Sequence, residues 1–324
     1  MVVRGGSKPR LDTPFGPGKP STVRRILTLL VPVTLLAPLP ATAQAPPSAG
    51  LWRVAAGALA RPAPLQTGAT GSFWNPGATG RTGSAEGLRI GGHVVQTSNV
   101  LGVSGLLLGG SAPVSSHVRA GAVLGRMQVR DLVRTTTSPD GEDGSIPVYE
   151  QFAGVGVSVG TPRVEIGATL LLHDARFDVL DDGGVTFDLG IRLAPWPRLR
   201  IAAATHLLPI DFSSEPSTDY FAAAEYLAAE RLELSGIPTA LMARYGIAFR
   251  ASGDAEHTVG FGAVVGNLVV VDASVTGESG YGSRQWRPAI GVGLRFGPYL
   301  VSLAHGFSLS DLGGTFRIGL DIEP

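Results

Sequence analysis

Residues 185–193 read VTFDLGIRL: Val185, Phe187, Leu189, Ile191 and Leu193 alternate strictly with Thr186, Asp188, Gly190 and Arg192. Side chains on a strand point to opposite faces in turn, so this segment has one wholly apolar face and one face of charge and glycine. Variants recur along the chain. Val164, Ile166, Ala168, Leu170 and Leu172 stand opposite Arg163, Glu165, Thr169 and His173. Leu241, Ala243, Tyr245, Ile247 and Phe249 oppose Met242, Arg244 and Arg250, and Trp286, Ile290, Val292, Leu294 and Phe296 oppose Arg287, Gly291 and Arg295. Many such strands make a sheet that meets lipid on one side and water on the other.

Turn signals rich in Gly, Pro, Asp, Asn and Ser divide residues 86–324 into fourteen strand-like stretches. They lie near 86–97, 99–109, 116–130, 147–160, 162–175, 184–195, 197–209, 217–230, 238–250, 255–266, 267–278, 284–297, 298–309 and 314–322. Connections alternate in length: short at 160–162, 195–197, 266–267 and 297–298, long and polar at 135–147, 178–184, 209–218, 250–257 and 276–283. The connection at 231–237 interrupts the short series. Short turns at one end and long loops at the other characterise outer-membrane barrels, and an even strand number leaves both termini on the periplasmic side. The reading is an all-β antiparallel transmembrane β-barrel of about fourteen strands. A soluble β-sandwich would alternate equally well, but needs two mutually covering sheets and has fewer, shorter strands.

Residues 26–45, ILTLLVPVTLLAPLPATAQA, form the only long apolar run; it follows Arg24 and Arg25 and is broken by Pro32 and Pro38. With small residues at its end, it has the parts of a cleaved secretory signal peptide, and is too interrupted for a transmembrane helix. The preceding Gly- and Pro-rich stretch is long for such a signal, so residues 1–22 are read as untranslated if synthesis starts near Val23. Residues 46–85 then form an N-terminal periplasmic or hatch segment, and 86–324 the barrel, in the bacterial outer membrane.

Without residues 1–45 the chain has 20 Arg, no Lys and 25 acidic residues, a net charge of −5. That argues against nucleic acid, whose binding rests on a basic surface. The absence of cysteine excludes disulfides, thiolate metal sites and a thiol nucleophile. Gly156-Val157-Ser158-Val159-Gly160 matches the G-x-S-x-G nucleophile pattern, but that motif requires a strand-to-helix turn, and here Pro162 and another strand follow. No metal, cofactor or catalytic residue is expected, and an outer-membrane hydrolase is the least favoured function. Twelve charges fall on the inner face of the strand pattern: Arg89, Arg119, Glu165, Asp188, Arg192, Arg200, Glu225, Arg244, Asp272, Arg287, Arg295 and Arg317. They either pair with one another across strands or line a substrate path.

Residues 68–80, GATGSFWNPGATG, break the strand rhythm. Small residues, an aromatic pair and Asn-Pro-small, just before the first strand, resemble the N-terminal signature of FadL-type hydrophobic-compound transporters and the related PorV-type barrels. Phe73, Trp74, Asn75, Pro76 and Gly77 occupy the motif, with Gly77 where alanine is usual. The resemblance implies a hatch inside a fourteen-stranded barrel, whose partners are outer-membrane lipid, the barrel-assembly machinery and a small hydrophobic ligand. In a FadL-like protein, glycines Gly121 and Gly125 would weaken pairing in the third strand and kink the wall. A PorV-like protein would instead be a structural or secretion-associated surface barrel whose loops hold a protein partner, of unknown identity.

Overall fold

The computed structural model describes residues 51–79, 87–98, 102–135, 142–209, 218–250, 255–280, 283–307 and 313–323. The signal-peptide reading of residues 1–45 lies outside them. In chain order the strands are β1 (Arg89–Thr97), β2 (Val103–Pro113), β3 (Val118–Val129), β4 (Val133–Thr135), β5 (Glu142–Ser145), β6 (Val148–Gly160), β7 (Val164–Phe177) and β8 (Leu180–Trp196). There follow β9 (Leu199–Pro209), β10 (Asp219–Leu234), β11 (Ile237–Phe249), β12 (Ala255–Val265), β13 (Val269–Gly280), β14 (Ser283–Phe296), β15 (Tyr299–Gly306) and β16 (Thr315–Ile322).

Fourteen of these form one closed antiparallel barrel; β4 and β5 pair separately within the connection from β3 to β6. Closure is made by β1 and β16, from Ile90 opposite Ile322 to Thr97 opposite Thr315. A closed ladder leaves no unpaired edge, which hydrocarbon would not tolerate. The apolar face of each strand points outward. Asp188 is 1 % exposed while its neighbour Leu189 is 44 % exposed, an inversion of soluble burial that assigns the charged face to the lumen.

Several strand boundaries differ from the sequence reading. β2 lies four residues later than 99–109, because Ser104 to Pro113 pair with β3 in unbroken register. The polar stretches 178–184 and 276–283 are not long loops: β7 and β8 stay paired to Phe177 opposite Leu180, and β13 and β14 to Gly280 opposite Ser283. Once two strands are in register, the backbone groups of polar residues extend the ladder as well as apolar ones do. The irregular connection at 231–237 is in fact a two-residue turn, Ser235-Gly236 with φ of 52° and 79°, between Leu234 and Ile237. Positive φ at both positions is the hairpin geometry whose twist matches the strands.

Candidate functional site

Residues 51–79 lie against the inner face of the barrel. They form a helix at Leu51–Gly57, a 3-10 turn at Ala63–Leu65, a one-turn helix at Gly71–Trp74 and a second 3-10 turn at Pro76–Thr79. Pro62 and Pro64 stop longer helix formation. Alanine, glycine and proline keep the segment slim, and its contacts circle the wall. Arg61 meets Asp272 of β13 at 3.2 Å, Leu65 packs with Ala202 and Ala223 of β9 and β10, and the Ala69 N–H donates to Asp321 of β16 at 3.1 Å. Thr70 lies 3.2 Å from His93 of β1.

The side-chain amide of Asn75 is fully used. Asn75 donates from Nδ2 to the carbonyls of Pro64, at 3.0 Å, and of Ile191 in β8, at 3.3 Å, while its Oδ1 accepts the Gly77 N–H at 2.9 Å. It thereby clasps its own turn and fixes that turn to the wall. Glycine is required at this clasp: a Cβ on Gly190 would stand 2.0 Å from Asn75 Oδ1, and one on Gly167 2.3 Å from the Pro76 carbonyl. Gly77 approaches the Gly190 carbonyl so closely that a Cβ would lie 3.0 Å away, a physical reason for glycine where alanine is usual.

Phe73 and Trp74 enter an aromatic cluster with Trp52 and Phe152 of β6. Phe73 stacks on Phe152 with centroids 4.5 Å apart and planes 4° from parallel, and Trp52 lies 4.8 Å from both. His206 of β9 closes the cluster, edge-on to Phe73 at 4.5 Å. The ring is held by a bulge. Pairing of β8 with β9 slips between Phe187 and Leu189, and Asp188 fills the gap, accepting from His206 Nδ1 at 2.8 Å and from the Leu207 N–H at 2.7 Å. Leu207, at φ 58°, is bent into the left-handed region by this arrangement. Asp188→Ala would strand one buried and one part-buried donor and is expected to cost about 2 kcal/mol, read as a lower urea midpoint in detergent.

Charged side chains line the lumen elsewhere around the wall. Arg244 of β11, fully buried, donates from Nε to Glu225 of β10 at 2.7 Å and from Nη1 to Asp272, which also holds Arg61. Arg200 reaches Glu225 at 3.0 Å and Arg192 reaches Glu165 at 3.4 Å. Arg317 donates to His93 Nδ1 at 2.7 Å, and His93 Nε2 lies 3.0 Å from Asp321. Arg119 donates to the carbonyls of Gly87 and Ser111, and Arg89 is buried beside the same strand ends. Arg287 is part-buried beside Gly57 of the inner segment. Arg295 shares the inner parity but stands exposed at the rim, as does most of Arg200.

Sequence reasoning passed over several partners. Asp321 follows the same alternation as Arg317, so its inward face was legible. Arg250, set on the polar face of its strand by alternation but not counted among the inner charges, holds Asp219 at 2.7 Å and Glu256 at 2.7 Å. Glu150, 5 % exposed in β6, also went unnoticed. Ser158 faces the lumen within β6, where its backbone pairs with Arg119 and Gly167, so the G-x-S-x-G stretch is plain strand.

The expected wall kink at Gly121 and Gly125 is absent: β3 pairs with β2 and β6 in continuous register past both. Gly125 serves another purpose. A Cβ there would stand 2.5 Å from Phe152 and 2.6 Å from Trp52, so its bareness admits the aromatic cluster to the wall. Outside that point a groove of about 420 Å³ runs between Leu106, Leu108, Leu124 and Leu172, with Ala153 between the last two and Gly125 and Phe152 in its floor. Its loop-side rim is polar: Arg126 donates to Gln151 at 3.0 Å, and Gln151 to Asp174 at 2.9 Å.

Closed wall, lipid-facing exterior and filled lumen define a transmembrane β-barrel with the fold of outer-membrane proteins. The TodX monoaromatic hydrocarbon channel, in its deltaS2 mutant, superposes with a TM-score of 0.51 at 12 % identity, over 82 % of this chain and 96 % of that one. The Ralstonia pickettii toluene transporter TbuX gives 0.48 at 12 % identity, over 78 % and 93 %. A mutant of Rh. blastica porin gives 0.39 at 11 % identity, over 73 % and 99 %. No family model matches the chain, and no curated protein matches it in sequence.

Proposed function

We propose that this protein is an outer-membrane channel that passes small hydrophobic compounds by diffusion, with residues 51–79 as its hatch. The observation that carries the reading is the outer groove, because its floor is also part of the inner aromatic cluster. Phe152 faces the groove on one side and stacks on Phe73 of the hatch on the other. An apolar compound leaving or entering the lipid thus meets apolar surface continuously, and a shift of the hatch rings opens the step between. The hydrocarbon named for TodX is of the same chemical class.

Uptake of labelled toluene by cells should fall to the level of unassisted permeation when the gene is deleted and return when it is restored. Unchanged uptake would overturn the proposal. The ion-paired side of the lumen, centred on Arg244, supports a second reading: a surface barrel whose loops bind a protein. Unchanged uptake together with capture of a protein partner by the intact barrel would establish that reading instead.

A further inference from the structure

Four polar atoms at the aromatic cluster are buried without a hydrogen-bond partner among the described residues: Trp52 Nε1, Trp74 Nε1, Glu150 Oε2 and His206 Nε2. Their residues are no more than 5 % exposed. Buried polar groups are almost always satisfied, so each such atom calls for an explanation. The residues that carry these atoms are also neighbours. His206 lies edge-on to Phe73 at 4.5 Å and 6.3 Å from Trp74, Trp52 is 4.8 Å from Phe73, and Glu150 receives a hydrogen bond from the Trp52 backbone.

Their chemistry is mixed. Each indole N–H is a donor and nothing else. His206 Nδ1 donates its hydrogen to Asp188, which in the neutral ring leaves Nε2 as an acceptor. The free Glu150 oxygen accepts when the carboxyl is ionised and donates when that oxygen carries the proton. A hydrocarbon supplies neither a proton nor a lone pair, and a carboxylate has no hydrogen to offer an acceptor. An ammonium has no lone pair for either indole. A hydroxyl donates one hydrogen and accepts through two lone pairs, which answers both kinds of orphan.

We infer that the compound carried is a hydroxylated aromatic, its ring against the Trp52, Phe73, Trp74 and Phe152 cluster once the hatch rings shift and its hydroxyl at Glu150 and His206. This rests on the transport reading above and narrows it. The entry route agrees: the groove is apolar along Leu106, Leu108, Leu124 and Leu172, yet its rim offers Arg126, Gln151 and Asp174 to a polar substituent.

The test compares toluene with 4-methylphenol, which adds one hydroxyl to the same skeleton, by calorimetric titration of the purified full chain in detergent against detergent blanks. One well-made buried hydrogen bond predicts that 4-methylphenol binds about tenfold more tightly. In Glu150→Leu and in Trp74→Phe, each shown to be folded by its heat-dependent gel mobility, that preference should shrink. Equal or weaker binding of 4-methylphenol by the unaltered protein would overturn the inference, as would a preference that survives in every folded variant. Binding of toluene with no preference leaves the transport reading standing and removes only the hydroxyl. Failure of both compounds to bind strikes the transport reading, and the inference falls with it.

Discussion

Arg244→Ala is expected to destabilise the barrel by about 3 kcal/mol, the low end for breaking a buried ion pair, because each carboxylate it joins keeps a second arginine. Arg244 joins two carboxylates, Glu225 on β10 and Asp272 on β13, and its side chain has no exposed surface. Removing it leaves two like charges facing each other in a confined lumen, with Arg61 and Arg200 at their edges. Urea titration of the detergent-solubilised protein, followed by tryptophan emission, reads the loss as a lower midpoint. Adding Glu225→Gln and Asp272→Asn should recover much of it, because the charges, not the volume, carry the penalty. A midpoint unchanged in Arg244→Ala would show that water solvates this side of the lumen.

Gly190→Val should expel the Asn75 turn while leaving the wall intact. The strand still pairs through its backbone, from Gly190 opposite Gly167 on one side to Gly190 opposite Ala204 on the other. The inner face, however, has no space: even a Cβ would overlap Asn75 Oδ1. Overpacking of this kind costs about 1–3 kcal/mol where neighbours cannot yield, and here the neighbour able to yield is the inner segment. The expected result in planar bilayers is a larger conductance than that of the unaltered protein, with new protease cleavage between residues 51 and 79. Leu189→Val, one residue away on the lipid face, should change neither. Equal conductance in Gly190→Val would mean that the segment stays seated by its other anchors, at Asp272 and Asp321.

The barrel was legible because strand alternation has a period of two and depends on nothing distant. VTFDLGIRL shows this best: Thr186, Asp188, Gly190 and Arg192 are buried, and Val185 and Leu189 are exposed. Loops were less legible, since polar composition at 178–184 does not reveal whether a hairpin continues. The candidate site was half legible. Phe73 to Gly77 announced themselves as a break in the strand rhythm, and the inward charges followed from parity. Glu150 was missed for lack of any motif, and Gly125 was assigned a kink because sequence does not say which ring stands behind a glycine.

The sequence by itself determined two faces per strand, an even-numbered closed wall and a short segment unlike the rest. Those are local consequences of side-chain direction and turn chemistry. Only the tertiary structure decided where that segment sits, which carboxylates Arg244 joins, and that Phe152 is shared between the outer groove and the inner cluster. These pairings link residues far apart in the chain, such as Asp321 with Ala69 and Asp272 with Arg61. Alternation assigns a side chain to a face but not to a height or a partner, so contacts across a lumen are fixed only when the wall closes.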